Sequence, residues 1–228
     1  MSGEPLLYVY AVVDEAPADL GRGVGGSPLR AVASGTVAAV VSEHERVPEA
    51  GEEALWQHEA VVERLMDDVV VLPMRFGMTV PGQGRLETLL RTREEEFAGL
   101  LAAVRGAVEL SVRAELSVPG SGREPRSEGA PPSSGAEYMR DRGRALRAAE
   151  QAKERLHRPL TELSRRSVIF EARGGPGRDA AFRGAYLVDA GRVEAFAGCV
   201  DGLATELGGE VSCTGPWPPY SFVAGAGR

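Results

Sequence analysis

Lysine is all but missing from this chain. Of its 26 basic side chains only Lys153 is a lysine, and the rest are arginine. With so much Ala and Gly beside it, that imbalance points to a GC-rich genome, and no single Arg gains significance from its type alone. Cysteine is scarce too. Cys199 and Cys213 are the only two, one on an apolar helical stretch and one on an apolar strand. They read as small buried residues in a chain too large to depend on a disulfide, which suits a reducing cytoplasm. No run of eighteen apolar residues occurs, so no membrane insertion is expected. The opening "MSGEPLLYVYAVVDE" has no basic start and is acidic early, unlike a secretion signal.

Chemistry-bearing patterns are equally thin. There are three histidines and neither an H-E-x-x-H nor a C-x-x-C spacing, so no metal site is expected. His44 stands between Glu43 and Glu45, and His58 precedes Glu59. Neighbours on a strand point to opposite faces and i,i+1 neighbours on a helix do not converge, so neither dipeptide chelates alone. No Ser lies in a G-x-S-x-G turn, and nothing favours a Cys–His pairing. The sequence therefore offers no catalytic residue and no cofactor, and a net charge of -7 speaks against nucleic acid as a partner.

What is present is a regular succession of elements. "LLYVYAVV" (6–13) is a buried strand by its apolar, β-branched and aromatic content. After a Gly/Pro-rich loop, "LRAVASGTVAAVVSE" reads as a hairpin bent at Ser34-Gly35. Residues 52–70 turn helical, with Leu55, Glu59, Val62, Met66 and Val69 at steps of three and four and Leu65 widening the stripe. "VVVLPMRFG" is a short strand whose Pro73 places it at an edge or bulge. A second amphipathic helix covers 85–104, and "AVELSVRAELSV" alternates as a half-exposed strand. This order predicts an α+β fold, a ferredoxin-like sandwich over 1–118 with its helices on one face of the sheet. Residues 119–136 have linker composition. The remainder, 137–228, reads as a smaller α+β domain. It has a long helix carrying a coiled-coil-like seam at Leu146, Ala149, Ala152, Leu156, Leu160 and Leu163, with a kink or break expected at Pro159. A hairpin around "GGPGRD", a helix over 193–207 and a strand over 210–214 follow.

Four features invite a functional reading. "GRGVGG" has the letters of a dinucleotide-binding turn at Gly21, Gly23 and Gly26, but a strand rather than a helix follows, so it reads as a loop. Arg140–Arg166 holds eight Arg and one Lys against four acids, the solvated face of a helix or a surface for an acidic partner. Arg75, flanked by Met74 and Phe76, must reach solvent, an ion pair or an interface. Finally, "GPWPPYSF" (215–222) packs three prolines and three rings into eight residues, a stiff segment that either staples onto a core or grips a partner.

"VLPMRFG" (71–77) and "GPWPPYSF" resemble segments of the gas vesicle GvpF/GvpL family, as do "LYVYAVV" (7–13), "EYMR" (137–140) and "AYLVD" (185–189). Met139 departs conservatively from the leucine expected there. The resemblance implies a non-enzymatic accessory or minor structural protein of gas vesicle formation, working in the cytoplasm or at the vesicle with the shell protein GvpA and other Gvp proteins. It also implies two α+β domains, the first ferredoxin-like, and does not separate GvpF from GvpL. A subunit that walls off gas exposes apolar surface before assembly, and such surface needs masking. Arg75, Trp217, Tyr220 and Phe222 are the expected interface, between the halves or against the partner, because aromatics and Arg dominate interface centres. The alternative is a ferredoxin-like module that binds a small molecule.

Overall fold

A computed structural model describes residues 4–116, 135–170 and 181–223. The expected linker, 119–136, lies outside them apart from its last two residues, which open a helix. The expected glycine-rich turn at 174–179 lies outside as well. The fold mixes helices with antiparallel sheet, as an α+β protein should. The chain divides into two compact units, Met1–Val108 with Trp217–Arg228 and Glu109–Pro216.

The first unit is built on β1 (Leu6–Val13), β2 (Leu29–Ser34), β3 (Val37–His44), β4 (Val71–Pro73) and β5 (Thr79–Pro81). The order is β2-β3-β1-β4, with β5 also paired to β1, and these pairings are antiparallel. Pro73 ends an edge strand, where a missing N–H is tolerated. The β2–β3 turn needs Gly35, whose φ is +61°; a Cβ there would also lie 2.2 Å from Glu94 Oε1. That carboxylate accepts hydrogen bonds from Thr36 N and Oγ1, both 2.8 Å.

Helices cover both faces of this sheet, which corrects the expectation of one. β1 is buried from Leu7 to Val13 and β3 from Val37 to Ser42; such continuous apolar runs belong to strands covered on both sides. Tyr8 and Val40 pack with Val61, Val62 and Leu65 of α1 (Glu52–Asp68). Leu7, which alternation turns the other way, is fully buried too. α2 (Gln83–Thr92) lies against β2 and β3, and α3 (Glu94–Val104) against β3 and β4. The second expected helix is thus two helices. Arg93, with φ -111° and ψ 17°, breaks it, and Glu94, Glu95 and Glu96 open α3, where the positive end of the helix dipole favours acids. On α1 the buried stripe is His58, Val61, Val62 and Leu65, while Leu55 and Trp56 are 48% and 68% exposed. Val62 and Leu65 of the expected stripe are buried and Met66 and Val69 partly so, but Leu55 and Glu59 give way to His58 and Val61, because His58 goes inward.

In the second unit β6 (Ala107–Leu116), β7 (Arg166–Ile169), β8 (Ala181–Asp189) and β9 (Gly209–Trp217) form one sheet in the order β7-β8-β6-β9. β6 therefore leaves the expected 1–118 domain. Its Leu110, Val112, Ala114 and Leu116 bury against α4 (Gly135–Glu162) and α5 (Val193–Leu207), joined by Phe182, Tyr186 and Val188 of β8. The succession is β6-α4-β7-β8-α5-β9, and β7 pairs antiparallel with β8. On α4, Ala149, Leu156 and Leu160 are buried and Ala152 partly so, as is Leu163 just past its end. Leu146 is 44% exposed and Ala145 turns inward in its place. Of the kink or break expected at Pro159, the break does not occur, since α4 runs through it to Glu162. β9 extends beyond the expected 210–214 into Trp217.

Candidate functional site

The site begins with a bulge. β1 pairs Val9 with Val41 and then Ala11 with Val40, so Tyr10 is an extra residue on β1. A bulge re-aims side chains, and here Tyr8, Tyr10 and Ala11 all join the α1 side of the core. The Tyr8 and Tyr10 rings lie 4.8 Å apart. His58 stacks on Tyr10 at 5.4 Å and 21° and meets Tyr8 and Phe76 edge-on.

His58 is fully buried, so each ring nitrogen needs a partner. Nε2 lies 3.0 Å from the Met74 carbonyl. A carbonyl only accepts, so Nε2 carries the proton, and Nδ1 accepts from the Tyr8 hydroxyl at 2.9 Å. The Tyr8 oxygen in turn accepts the Gly77 N–H at 3.2 Å. Tyr220 brings its hydroxyl to 3.5 Å from His58 Nε2 and donates to Glu59 Oε1 at 3.0 Å. The segments 71–77 and 215–222 therefore meet at one histidine of α1. A second chain runs from Val24 N–H to the Tyr10 hydroxyl, 2.8 Å, on to Ser42 Oγ, 2.9 Å, and to His44 Nε2, 2.8 Å. Among the described residues no buried side-chain polar atom lacks a partner.

This arrangement also explains the glycine loop. Gly23 stands where a Cβ would lie 2.3 Å from the Tyr10 hydroxyl oxygen, so the missing side chain admits a tyrosine. Tyr10 is fully buried and cannot step aside. Gly23→Ala is expected to destabilise by about 2 kcal/mol through overpacking, read as a lower midpoint in urea.

Burial dominates the electrostatics. It lowers His58 and His44, and it lowers His157, whose Nδ1 lies 2.8 Å from the Tyr186 hydroxyl. It raises Tyr8 to about 12 and also raises Tyr10 and Glu59. Tyr220 is raised by burial and by the Glu59 carboxylate beside it. The pH consequence has a definite sign. A histidine held below its ordinary 6.5 binds its proton more readily when unfolded. Its contribution is present above pH 6.5 and is lost as pH falls through the depressed folded value. Glu59, raised above its ordinary value, acts oppositely, since there the folded state binds the extra proton. The expected outcome is a thermal midpoint that falls as pH is taken from 7.5 toward 5.5, with a shallower slope in His58→Phe.

The four residues singled out by sequence divide. Phe222 is buried, as are Pro218, Pro219 and Val223. Tyr220 is largely buried on α1. Arg75 and Trp217 are exposed. The tail thus belongs with the first unit, not with 137–228. Sequence reasoning missed His58 and Glu59 as its partners, and Tyr8 and Tyr10 as the rings around that histidine.

With that geometry in hand, the family model described as "Gas vesicle synthesis protein GvpL/GvpF" matches residues 6–224. The chain belongs to the GvpL/GvpF family. Gas vesicle protein L of Streptomyces sp. (strain CB03234) is 31% identical over 98% of this chain and 94% of its own length. Gas vesicle protein F1 of Halobacterium salinarum is 28% identical over 95% and 92%. The fold is shared with the crystal structure of GvpF from Anabaena sp. PCC7120, at a TM-score of 0.79 and 16% identity over 96% of this chain and 98% of that one. GvpF from Microcystis aeruginosa gives 0.75 and 18% over 98% and 99%. The GvpL/GvpF match includes both motif segments that meet at His58. Among the described residues no helix is long and apolar enough to cross a membrane.

Proposed function

We propose that the chain is a non-enzymatic accessory or minor structural protein of gas vesicle formation. It binds the shell protein GvpA and other Gvp proteins in the cytoplasm or at the growing vesicle. The observation that carries this reading is family membership across nearly the whole chain, with relatives matched over more than nine-tenths of their own length. The geometry supports it: His58, Tyr8, Tyr10 and Ser42 hydrogen-bond one another and the backbone, an arrangement that fixes shape. Arg75 and Trp217 are the exposed part of the expected interface. Tyr220 and Phe222 act by holding the tail against the first unit. In the same reading the chain is a two-domain protein, and its ferredoxin-like character lies in the split-βαβ second unit. The first unit is a related sandwich with an added helical layer.

The test is genetic. Deleting this gene from a gas vesicle cluster should abolish or sharply reduce vesicles seen by electron microscopy, and the parent gene should restore them. Normal vesicles in its absence would remove the proposal.

A further inference from the structure

A groove on the first unit lies apart from the His58 cluster, between the segment Met78–Pro81 and α2, with a volume of about 540 Å³. α2 carries two stripes. Leu86 and Leu90 are buried in the core. Arg85, Thr88, Leu89 and Thr92 stand at i, i+3, i+4 and i+7 and line the groove. Leu89 is half-buried at the centre of that stripe and the other three are exposed. Opposite them lie Val80, which is buried, and Pro81.

The groove suits a helix and not a strand. Val9 N–H donates to Met78 O at 2.9 Å, so by the two-residue period of the ladder Val80 faces β1, and Thr79 and Pro81 point their backbone outward. Pro81 has no N–H, which leaves a single outward donor on a three-residue edge. A chain adding there would gain almost no ladder. A helix lying along two turns of α2 would instead set apolar side chains over Leu89 and between the threonine methyl groups, ridge into groove.

Charge chooses the sign of that helix. Arg93 at one end is already held by Glu96 and lies over the Phe97 ring. Arg85 at the other end has no hydrogen bond or ion pair among the described residues. We infer that this groove docks an amphipathic helix of a partner protein, with apolar residues toward Leu89 and a carboxylate toward Arg85. The inference rests on the reading of the chain as one that acts by contact, and it adds where and with what chemistry.

The test titrates the labelled full chain with a synthetic amphipathic helix bearing Glu at the end that reaches Arg85, and with the same peptide bearing Lys. Affinity is followed by fluorescence anisotropy, and the site by amide shifts over 78–93. The Glu peptide should bind and shift those amides. Leu89→Asp, with Leu89→Ser as a milder second variant and both checked for unchanged circular dichroism, should weaken it about tenfold or more. Arg85→Glu should reverse the preference to the Lys peptide. Equal binding of both peptides by the parent, or binding unchanged in both Leu89 variants, would overturn the inference. So would occupation of the groove by dodecanoate when neither peptide binds, or a parent dimer that Leu89→Asp dissolves. A parallel capture of Gvp proteins separates the levels. Capture without peptide binding removes only the groove, whereas a folded parent that captures nothing removes the reading beneath it.

Discussion

His58→Phe is expected to destabilise the protein by about 3 kcal/mol, because it strands buried polar groups while keeping a ring in place. The Met74 carbonyl loses its donor and the Tyr8 hydroxyl loses its acceptor, and neither reaches water easily in a core where Tyr8 is fully buried. At this size the loss lowers the thermal midpoint by roughly 6–12 °C. Tyr8→Phe should cost less alone. The two changes together should cost less than their sum by about 1 kcal/mol or more, since the second removes a hydroxyl the first has orphaned. Denaturant unfolding of the four proteins reads the coupling directly. Strict additivity would mean that the two side chains do not act on one another.

The second large effect concerns the tail. Phe222→Ala should lose about 3–5 kcal/mol, the usual penalty for emptying a buried Phe site, since only 4% of that residue is exposed. Trp217→Ala should lose less than about 1 kcal/mol, as surface substitutions do, because Trp217 is 43% exposed. The contrast answers the question that three prolines and three rings pose: this segment is mainly a staple. Tyr220 hydrogen-bonds Glu59, and the short turns Tyr220 N–H to Pro218 O, 2.7 Å, and Phe222 N–H to Pro219 O, 3.1 Å, fold the chain back. Equal losses for the two variants would mean that the tail does not pack as described.

Much of this was legible in the residues. β1 and the hairpin at Gly35 announce themselves through unbroken β-branched and aromatic runs around a small turn residue, and α5 through its spacing. The burial of both sheet faces was legible too, because "LLYVYAVV" and "VAAVV" do not alternate. So was the true face of α1: His58, Val61, Val62 and Leu65 fall at i, i+3, i+4 and i+7. A histidine at the head of an apolar stripe reads as polar only until its partners are known. Those partners come from Tyr8, fifty residues away, and Met74, sixteen away, and no local pattern reports such distances. The bulge at Tyr10 was also hidden, since register is set by pairing rather than by composition. Sequence groups β6 with residues 1–118, whereas it lies in the second sheet, because alternation says that a strand has a covered face, not which helices cover it. Family motifs marked the right segments while leaving their role open. "VLPMRFG" and "GPWPPYSF" reach the same imidazole, one through the Met74 carbonyl and the Phe76 ring and the other through the Tyr220 hydroxyl, while Arg75 and Trp217 are exposed.

The account stands on a protein that works by shape and contact among gas vesicle proteins. The most direct measurement is capture of GvpA and the other Gvp proteins by the purified chain, compared with a variant carrying Arg75→Ala and Trp217→Ala whose circular dichroism and thermal midpoint match the parent. The account predicts capture by the parent and weakened capture by the folded variant. A folded parent that retains no Gvp protein would contradict it.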